Sequence, residues 1–190
     1  MKKIAITGGI GSGKSYVCRE LSRRGIGVYD CDAAAKRLMV FDAHLQESLR
    51  ALVGAEVYAD GKLQKAVLAK YLLQSEAHKQ ALNDVVHPAV AADFEQSGYG
   101  WIESAILFDS GFCKRIHLDA VVCVTAPREV RIARVMARDG IDRQKAMEWM
   151  NAQMPQEEVL ALSNYQIVND GESDIVAQVT QLLEQLESKQ

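Results

Sequence analysis

The stretch from Gly8 to Ser15, Gly-Gly-Ile-Gly-Ser-Gly-Lys-Ser, most constrains what this chain can fold into. It matches the phosphate-binding pattern G-x-x-x-x-G-K-[ST] and directly follows the apolar run Ile4-Ala5-Ile6-Thr7. Glycines let successive backbone N–H groups curl around an anion, and a helix predicted from Lys14 to Arg24 adds its N-terminus. We expect Lys14 to reach the β- and γ-phosphates of a nucleotide and the Ser15 hydroxyl to bind Mg²⁺. The structural alternative is a turn that only joins a strand to a helix, but such a turn requires neither a lysine nor four glycines.

A second strand is predicted at residues 26–29, and it ends at the acidic sequence Asp30-Cys31-Asp32. A strand, a helix and another strand form a βαβ unit with parallel pairing and a right-handed crossover. Both acids are therefore expected at the carboxyl edge of the sheet, where open α/β sheets bind ligands. Asp32 also precedes a helix-forming run that begins at Ala33, so an N-cap is its alternative role.

The segment from Asp42 to Gly98 is almost wholly helical in its pattern. Helices are predicted near residues 43–53, 64–73, 75–86 and 88–96, with breaks at Gly54, Asp60-Gly61 and Pro88. A block of this length between two strands exceeds a simple crossover, so we interpret it as a substrate-binding subdomain. His87 lies at the predicted junction before Pro88.

Three further strands are predicted at residues 101–107, 119–125 and 165–168, which completes a five-stranded parallel sheet. Asp109 follows the first of these strands and is a candidate for organising Mg²⁺, although acids in turns after strands are common. The remaining helices are expected from Pro127 onward, at 142–150, at 155–162 and at 175–186.

The helix after the fourth strand carries Arg131, Arg134 and Arg138 at positions i, i+3 and i+7, a spacing that places them on one face. Such a row of guanidinium groups can neutralise charge on a transferring phosphoryl group. A solvated basic face is favoured for Arg128 and Arg131. Arg138 is the candidate for charge neutralisation, because Asp139-Gly140 ends the helix and begins a lid-like segment.

The composition of the chain limits the classes of function that it can have. The chain has 190 residues, 48% of them hydrophobic, and so can bury one substantial core. Its net charge of −3 gives no general attraction to nucleic acid. The four cysteines and four histidines are scattered without the spacing of a metal site, and no apolar run is long enough for a signal peptide or a membrane span. We expect a cytoplasmic protein with no nucleic-acid or membrane partner.

These features predict an α/β protein of the P-loop NTPase fold, with a helical substrate-binding insert and a lid. The chain lacks the N-K-x-D motif of GTPases, which leaves a small-molecule kinase. It resembles the dephospho-coenzyme A kinase family over nearly its full length. The motifs that carry the resemblance are residues 7–15, Gly25-Ile26 with Asp30-Cys31-Asp32, Asp60-Gly61-Lys62-Leu63, His87-Pro88, Ile106-Leu107-Phe108-Asp109, residues 134–139 and Asn169-Asp170-Gly171.

The resemblance implies transfer of the γ-phosphoryl group of ATP, with Mg²⁺, to the ribose 3′-hydroxyl of dephospho-CoA, the last step of CoA synthesis. It also implies a core formed by residues 1–32, 99–127 and 163–190, a CoA-binding helical insert at 33–98 and a lid at 128–162. We expect a monomer or a weak homo-oligomer.

The family motifs also imply roles for individual residues. The catalytic residues are expected to be Lys14, Asp32 and Arg138, with Asp32 accepting the proton of the ribose hydroxyl. The residues expected to bind ATP are Gly8, Gly9, Ile10, Gly11, Ser12, Gly13, Lys14, Ser15, Tyr16, Arg134 and Asn169. Those expected to bind the acceptor are Thr7, Asp32, His87 and Asp109, and Ser15 is expected to hold the metal. The chain departs from the usual family residues at Tyr16 (Thr), Cys31 (Ala) and Asp109 (Glu).

Two other functions stay open on the sequence. One is a P-loop kinase that acts on a nucleoside monophosphate or a small hydroxylated metabolite. The other is a regulatory protein that binds ATP without turning it over. A pure nucleotide sensor needs neither a proton acceptor such as Asp32 nor a row of arginines, and these residues favour an enzyme.

Overall fold

A computed structural model describes residues 2–188 of the chain. Within that range the chain divides into two compact units. The first contains residues 2–29, 99–113 and 117–188, and the second contains residues 30–98 and 114–116. None of the helices in residues 2–188 combines the length and the apolar character that crossing a bilayer requires.

The strands are β1 (Ile4–Thr7), β2 (Val28–Asp30), β3 (Tyr58–Ala59), β4 (Lys62–Leu63), β5 (Trp101–Glu103), β6 (Ala120–Thr125) and β7 (Tyr165–Val168). The α-helices are α1 (Lys14–Arg23), α2 (Cys31–Phe41), α3 (Ala43–Val53), α4 (Lys65–Leu72), α5 (Glu76–Gln96), α6 (Arg128–Asp139), α7 (Arg143–Asn151), α8 (Gln156–Ala161) and α9 (Ile175–Ser188). Short 3-10 helices span Ala55–Val57 and Phe112–Lys114.

The predicted five-stranded parallel sheet is confirmed, with the strand order β2-β5-β1-β6-β7. Strand β1 is central, because Ile4 pairs with Trp101 of β5 on one side and with Ala120 of β6 on the other. All residues of β1 and β6 are buried, as expected of strands covered on both faces in a parallel sheet. The loop that follows β1 therefore leaves the sheet from its middle.

The core of the first unit forms where helices cover this sheet. Val17 and Leu21 of α1 and Val179 and Leu182 of α9 pack in one apolar cluster with the side chains of β1 and β6. The apolar positions of each helix recur at helical spacing, so one stripe faces inward. This packing fixes where α1 begins, directly behind the glycine-rich loop.

Strand β5 is shorter than predicted. It ends at Glu103, and the predicted continuation to residue 107 is wrong. The Ser104 N–H still donates to the carbonyl of Ile6, at 3.0 Å, but the chain then turns, and the Cys113 N–H donates to the carbonyl of Leu107 at 3.1 Å. The Leu107 side chain is fully buried in this turn. The prediction failed because a short apolar run has the same sequence pattern in a strand and in a buried turn. Since β5 ends at Glu103, the acid at the end of this strand is Glu103 and not Asp109.

Helix α5 continues through Pro88, so the predicted break at this residue is wrong. Proline removes one backbone hydrogen bond from a helix and crowds the preceding turn. Here the helix buries Leu82 and Val86 before the proline and Val90 and Phe94 after it. Packing on both sides of Pro88 holds the helix together across the missing bond.

The hairpin β3-β4 was not predicted, because the surrounding segment has a helical pattern. Tyr58 pairs with Leu63 and Ala59 pairs with Lys62 in an antiparallel arrangement. Between them Asp60 has φ of 50° and Gly61 has φ of 72°, both in the left-handed region. An Asp-Gly pair is a strong signal for such a two-residue turn, so the sequence did contain the evidence.

Asp30, not Asp32, is the N-cap of α2. Its Oδ1 accepts a hydrogen bond from the Ala33 N–H at 2.9 Å, and the helix begins at Cys31. The alternative role of Asp32 as the cap is therefore wrong. Asp32 lies in the first helical turn with an exposed side chain, and it makes no hydrogen bond or ion pair with any other residue in the range 2–188.

This assignment predicts different stability effects for the two acids. Asp30→Ala should lower the free energy of unfolding by about 1 kcal/mol, since it leaves a helix N–H without its side-chain acceptor. Asp32→Asn should lower it by about 0.3 kcal/mol, because only a favourable charge near the helix N-terminus is lost. Urea unfolding of both variants measures the difference, and an equal or larger cost at Asp32 would contradict the assignment.

Candidate active site

The phosphate-binding loop, residues 8–15, is held by side chains that bind its carbonyl groups. If the N–H groups of a loop converge on an anion, its carbonyls point elsewhere and need donors of their own. Arg131 Nε donates to the carbonyl of Ile10 at 3.0 Å, and Asn169 Nδ2 donates to the carbonyl of Ser12 at 3.0 Å. Residues far away in the sequence thus stabilise the shape of the loop.

Two glycines of the loop leave room for these donors. A Cβ atom at position 9 would lie 2.2 Å from Nη2 of Arg131, and a Cβ atom at position 13 would lie 2.0 Å from Nδ2 of Asn169. Gly13 also has φ of 90°, a conformation that side chains disfavour. A side chain at position 9 would therefore displace Arg131 from the loop, and one at position 13 would displace Asn169.

Arg131 is buried, with 7% of its surface exposed, so the predicted solvated position is wrong for this residue. Ile132 and Val135 of the same helix face the protein interior and bring Arg131 inward with them. Burial lowers the pKa of the guanidinium, and the hydrogen bond to Ile10 offsets part of the cost of removing a cation from water. Arg128 is exposed, as predicted, and donates to Asn151 Oδ1.

Arg134 orients the side chain of Asn169. Its Nη1 donates to the Asn169 carbonyl at 2.9 Å, and its Nη2 donates to Asn169 Oδ1 at 3.1 Å. Because Oδ1 faces a guanidinium, the other end of the amide, Nδ2, faces the carbonyl of Ser12. Both residues lie beside the loop, as the ATP-binding prediction requires, and their direct contact with ATP stays a prediction.

Arg138 lies at the end of α6 and is exposed. Its guanidinium forms an ion pair with Asp139, with 2.7 Å between Nη2 and Oδ2, and among the described residues this is its one ion pair. Of the three arginines that helical spacing predicts on one face of α6, Arg131 and Arg134 contact the loop or its partner Asn169. Arg138 instead pairs with its neighbour in the chain.

Lys14 lies between the loop and the end of β5. Its Nζ donates to the carbonyl of Gly8 at 2.9 Å and lies 3.6 Å from Oε1 of Glu103. The two side chains are only 11% and 18% exposed, so this ion pair is partly shielded from water. Glu103 was missed as a site residue because the strand was predicted to extend past it. If the end of β5 had been predicted correctly, Glu103 would have been recognised as the acid at the end of the strand.

Two oxygen-bearing side chains near Lys14 are of the type that Mg²⁺ prefers. Ser15 supplies an exposed hydroxyl and Glu103 supplies a carboxylate. Proteins commonly bind Mg²⁺ through one or two such groups together with substrate phosphates, and not in a cage built wholly from side chains. Residues 2–188 contain no cluster of three or more His, Cys, Asp or Glu side chains that could hold a metal ion.

Four other predicted site residues of the first unit, Thr7, Ser12, Tyr16 and Asp109, differ in burial and in their contacts. Thr7 is buried at the end of β1, and Tyr16 is exposed on α1 with the Arg19 guanidinium 5.6 Å from its ring centre. Ser12 is fully buried, and its Oγ has no hydrogen-bond partner within residues 2–188. A buried hydroxyl of this kind suits a loop whose partner is a phosphate oxygen. Asp109 Oδ2 accepts a hydrogen bond from the Met154 N–H at 2.7 Å.

Two predicted acceptor-binding residues, Asp32 and His87, belong to the second unit. His87 lies within α5 and is half-buried. Burial lowers the pKa of its imidazole, and Arg115 lowers it further, whereas Asp84 opposes the change. The neutral form of His87 is therefore favoured in the folded protein.

A model of the dephospho-CoA kinase family matches residues 2–174. The chain belongs to the dephospho-CoA kinase family. The chain is similar to a dephospho-CoA kinase of Bacteroides fragilis, with 38% identity in an alignment that covers 95% of this chain and 91% of the relative. It is also similar to a dephospho-CoA kinase of Porphyromonas gingivalis, with 37% identity and coverage of 100% of this chain and 96% of the relative. Members of this family are ATP-dependent transferases of CoA biosynthesis, so the chain is an enzyme of the kinase class.

Solved structures support the fold. The protein TT1252 from Thermus thermophilus is 31% identical, has a TM-score of 0.80, and the match covers 97% of this chain and 96% of that one. Dephospho-CoA kinase from Campylobacter jejuni matches at 18% identity and a TM-score of 0.67, over 100% and 99% of the two chains. Shikimate kinase from Acinetobacter baumannii matches at 14% identity and a TM-score of 0.58, over 100% and 95%. The last two likenesses concern the fold alone.

The lowered pKa of His87 predicts a pH effect on stability. The folded protein disfavours protonated His87, so the free energy of unfolding should fall as the pH decreases. The loss should begin near pH 6.5, where the imidazole of the unfolded chain becomes protonated, and should end below the lower pKa of the folded state. His87→Gln should reduce this loss between pH 7.5 and pH 5, measured by urea unfolding. His44 is exposed, so His44→Gln should retain the wild-type dependence. Equal pH dependence in all three proteins would contradict the prediction.

Proposed function

We propose that this chain transfers the γ-phosphoryl group of ATP to the ribose 3′-hydroxyl of dephospho-CoA. The observation that carries the proposal is the phosphate-binding loop, whose carbonyls are bound by Arg131 and Asn169 and whose lysine pairs with a carboxylate. Membership of the dephospho-CoA kinase family supplies the identity of the acceptor.

The loop and Lys14 hold the phosphates. Phosphoryl transfer needs little covalent chemistry from the protein, so rate enhancement comes from positioning and charge compensation. The N–H groups of residues 8–15 supply fixed partial positive charges, and the Lys14 ammonium supplies a full one. In the structure the Lys14 ammonium is held beside the loop by the carbonyl of Gly8 and the carboxylate of Glu103.

Ser15 and Glu103 would hold Mg²⁺. When bound, the ion neutralises charge on the β- and γ-phosphate oxygens. Glu103 takes this role in the proposal because it ends the strand next to β1 and lies beside the loop lysine. Asp109, the earlier candidate, lies within the turn after β5 and binds the backbone of Met154.

Asp32 would orient the ribose hydroxyl and accept its proton. It follows the carboxyl end of β2, it is exposed, and no described residue occupies its carboxylate. Arg138 would neutralise the transferring group, for which it must exchange its ion pair with Asp139 for a phosphate oxygen. Thr7, His87 and Asp109 stay predicted acceptor contacts. A cytoplasmic location and a monomer or weak homo-oligomer also stay predictions.

ADP release measured with a panel of acceptors tests the substrate. We expect turnover with dephospho-CoA and none with nucleoside monophosphates, small hydroxylated metabolites or water alone. Turnover with a different acceptor would favour another P-loop kinase, and ATP binding without turnover on any acceptor would favour a regulator.

Asp32→Asn tests the proton acceptor. It should lower kcat with dephospho-CoA by about a hundredfold or more, because general-base contributions have that size. Asp30→Asn is the matched control, since asparagine also caps helices well and the charge is lost two residues away. That control should keep kcat within a few-fold of wild type. A folded Asp32→Asn enzyme with nearly unchanged kcat would show that the proton goes elsewhere.

A further inference from the structure

The turn between α7 and α8, residues 152–155, reaches the phosphate-binding loop through one side chain. Gln153 Oε1 accepts a hydrogen bond from the Ile10 N–H at 2.7 Å, across 143 positions of the sequence. The same oxygen lies 3.4 Å from the place that a Cβ atom at position 9 would occupy. Gln153 is half-buried, so this hydrogen bond is partly protected from water.

Gln153 fixes one peptide plane of the loop. The Ile10 N–H and the Gly9 carbonyl belong to the same plane, and the Ser12 N–H donates to that carbonyl at 3.1 Å. The plane is therefore held at both ends, by Gln153 and by Ser12. The next plane carries the Ile10 carbonyl, which Arg131 binds. Gln153 and Arg131 thus hold two successive planes of the loop from outside.

Without Gln153, the Gly9–Ile10 plane could rotate. Glycine has no Cβ, so it resists such a rotation less than any other residue. A rotated plane would break the hydrogen bond between Ser12 and Gly9 that closes the first turn of the loop. The following N–H groups depend on that turn for their direction, and a phosphate site requires that several of them converge on one point.

Asp109 holds the turn that carries Gln153. Its Oδ2 accepts a hydrogen bond from the N–H of Met154, the next residue, at 2.7 Å. A carboxylate that binds a backbone N–H makes a strong hydrogen bond. The backbone beside Gln153 is therefore fixed to the segment that follows β5.

We propose that Gln153 is a positioning residue for nucleotide binding, which keeps the loop in the form that binds phosphates, and that Asp109 keeps Gln153 in place. The inference deepens the proposed function and rests on it, because it takes the polyphosphate of a nucleotide as the ligand of the loop. It also gives Asp109 a role that needs no contact with the acceptor.

Gln153→Met tests this inference, because it keeps the length of the side chain and removes the oxygen acceptor. In the nucleotide-free protein the Ile10 amide should exchange with solvent about tenfold faster, measured by NMR, and ADP should bind about tenfold more weakly, measured by calorimetry. Gln156→Met is the matched control. Gln156 Oε1 accepts from the Ala126 N–H at 3.1 Å, outside the loop, so this variant should bind ADP within twofold of wild type.

Asp109→Ala gives a second measurement in case Gln153→Met does not fold. It should weaken ADP binding by about threefold to tenfold, whereas a residue that only contacts the acceptor would leave ADP binding unchanged. A folded Gln153→Met protein that binds ADP as tightly as wild type overturns the inference, whether or not Ile10 exchange is faster. Failure of the wild-type protein to bind ADP and ATP overturns the proposed function instead.

Discussion

The hydrogen bonds from side chains to the carbonyls of the phosphate-binding loop are the interaction on which the rest of the site depends. A loop that presents several N–H groups to one anion must direct its carbonyls away from that anion, and buried carbonyls without donors are costly. Arg131 and Asn169 supply the donors, and Gly9 and Gly13 leave space for them. The shape of the loop therefore depends on these donors, and a loop held in this way needs less ordering when a ligand binds.

This arrangement links the site to the hydrophobic core of the first unit. Arg131 lies on the helix whose neighbours Ile132 and Val135 are buried, so the packing of α6 places the guanidinium. Lys14 begins α1, whose Val17 and Leu21 pack against the sheet. The positions of the Arg131 and Lys14 charges thus follow from apolar packing on the same helices.

Local patterns in the sequence predicted most of the fold and the centre of the site. The glycine-lysine motif behind an apolar strand predicted the loop, and alternating strands and helices predicted the parallel sheet. Contacts between distant segments could not be predicted, because no local pattern shows that Arg131 is buried against Ile10 or that Gln153 binds its N–H. The end of β5 was misjudged because Ile106 and Leu107 are as apolar in a turn as in a strand, and Glu103 was missed for that reason.

The affinity of Arg131→Met for ADP tests the central account most directly. This variant keeps an apolar stem in the buried site and removes the donor to the Ile10 carbonyl. Calorimetry should show ADP binding weakened by about tenfold in a protein that remains folded by circular dichroism. Arg128→Met, on the same helix but exposed and bound to Asn151, should bind ADP as wild type does. Unchanged ADP affinity in a folded Arg131→Met protein would contradict the claim that donors to the carbonyls shape the loop.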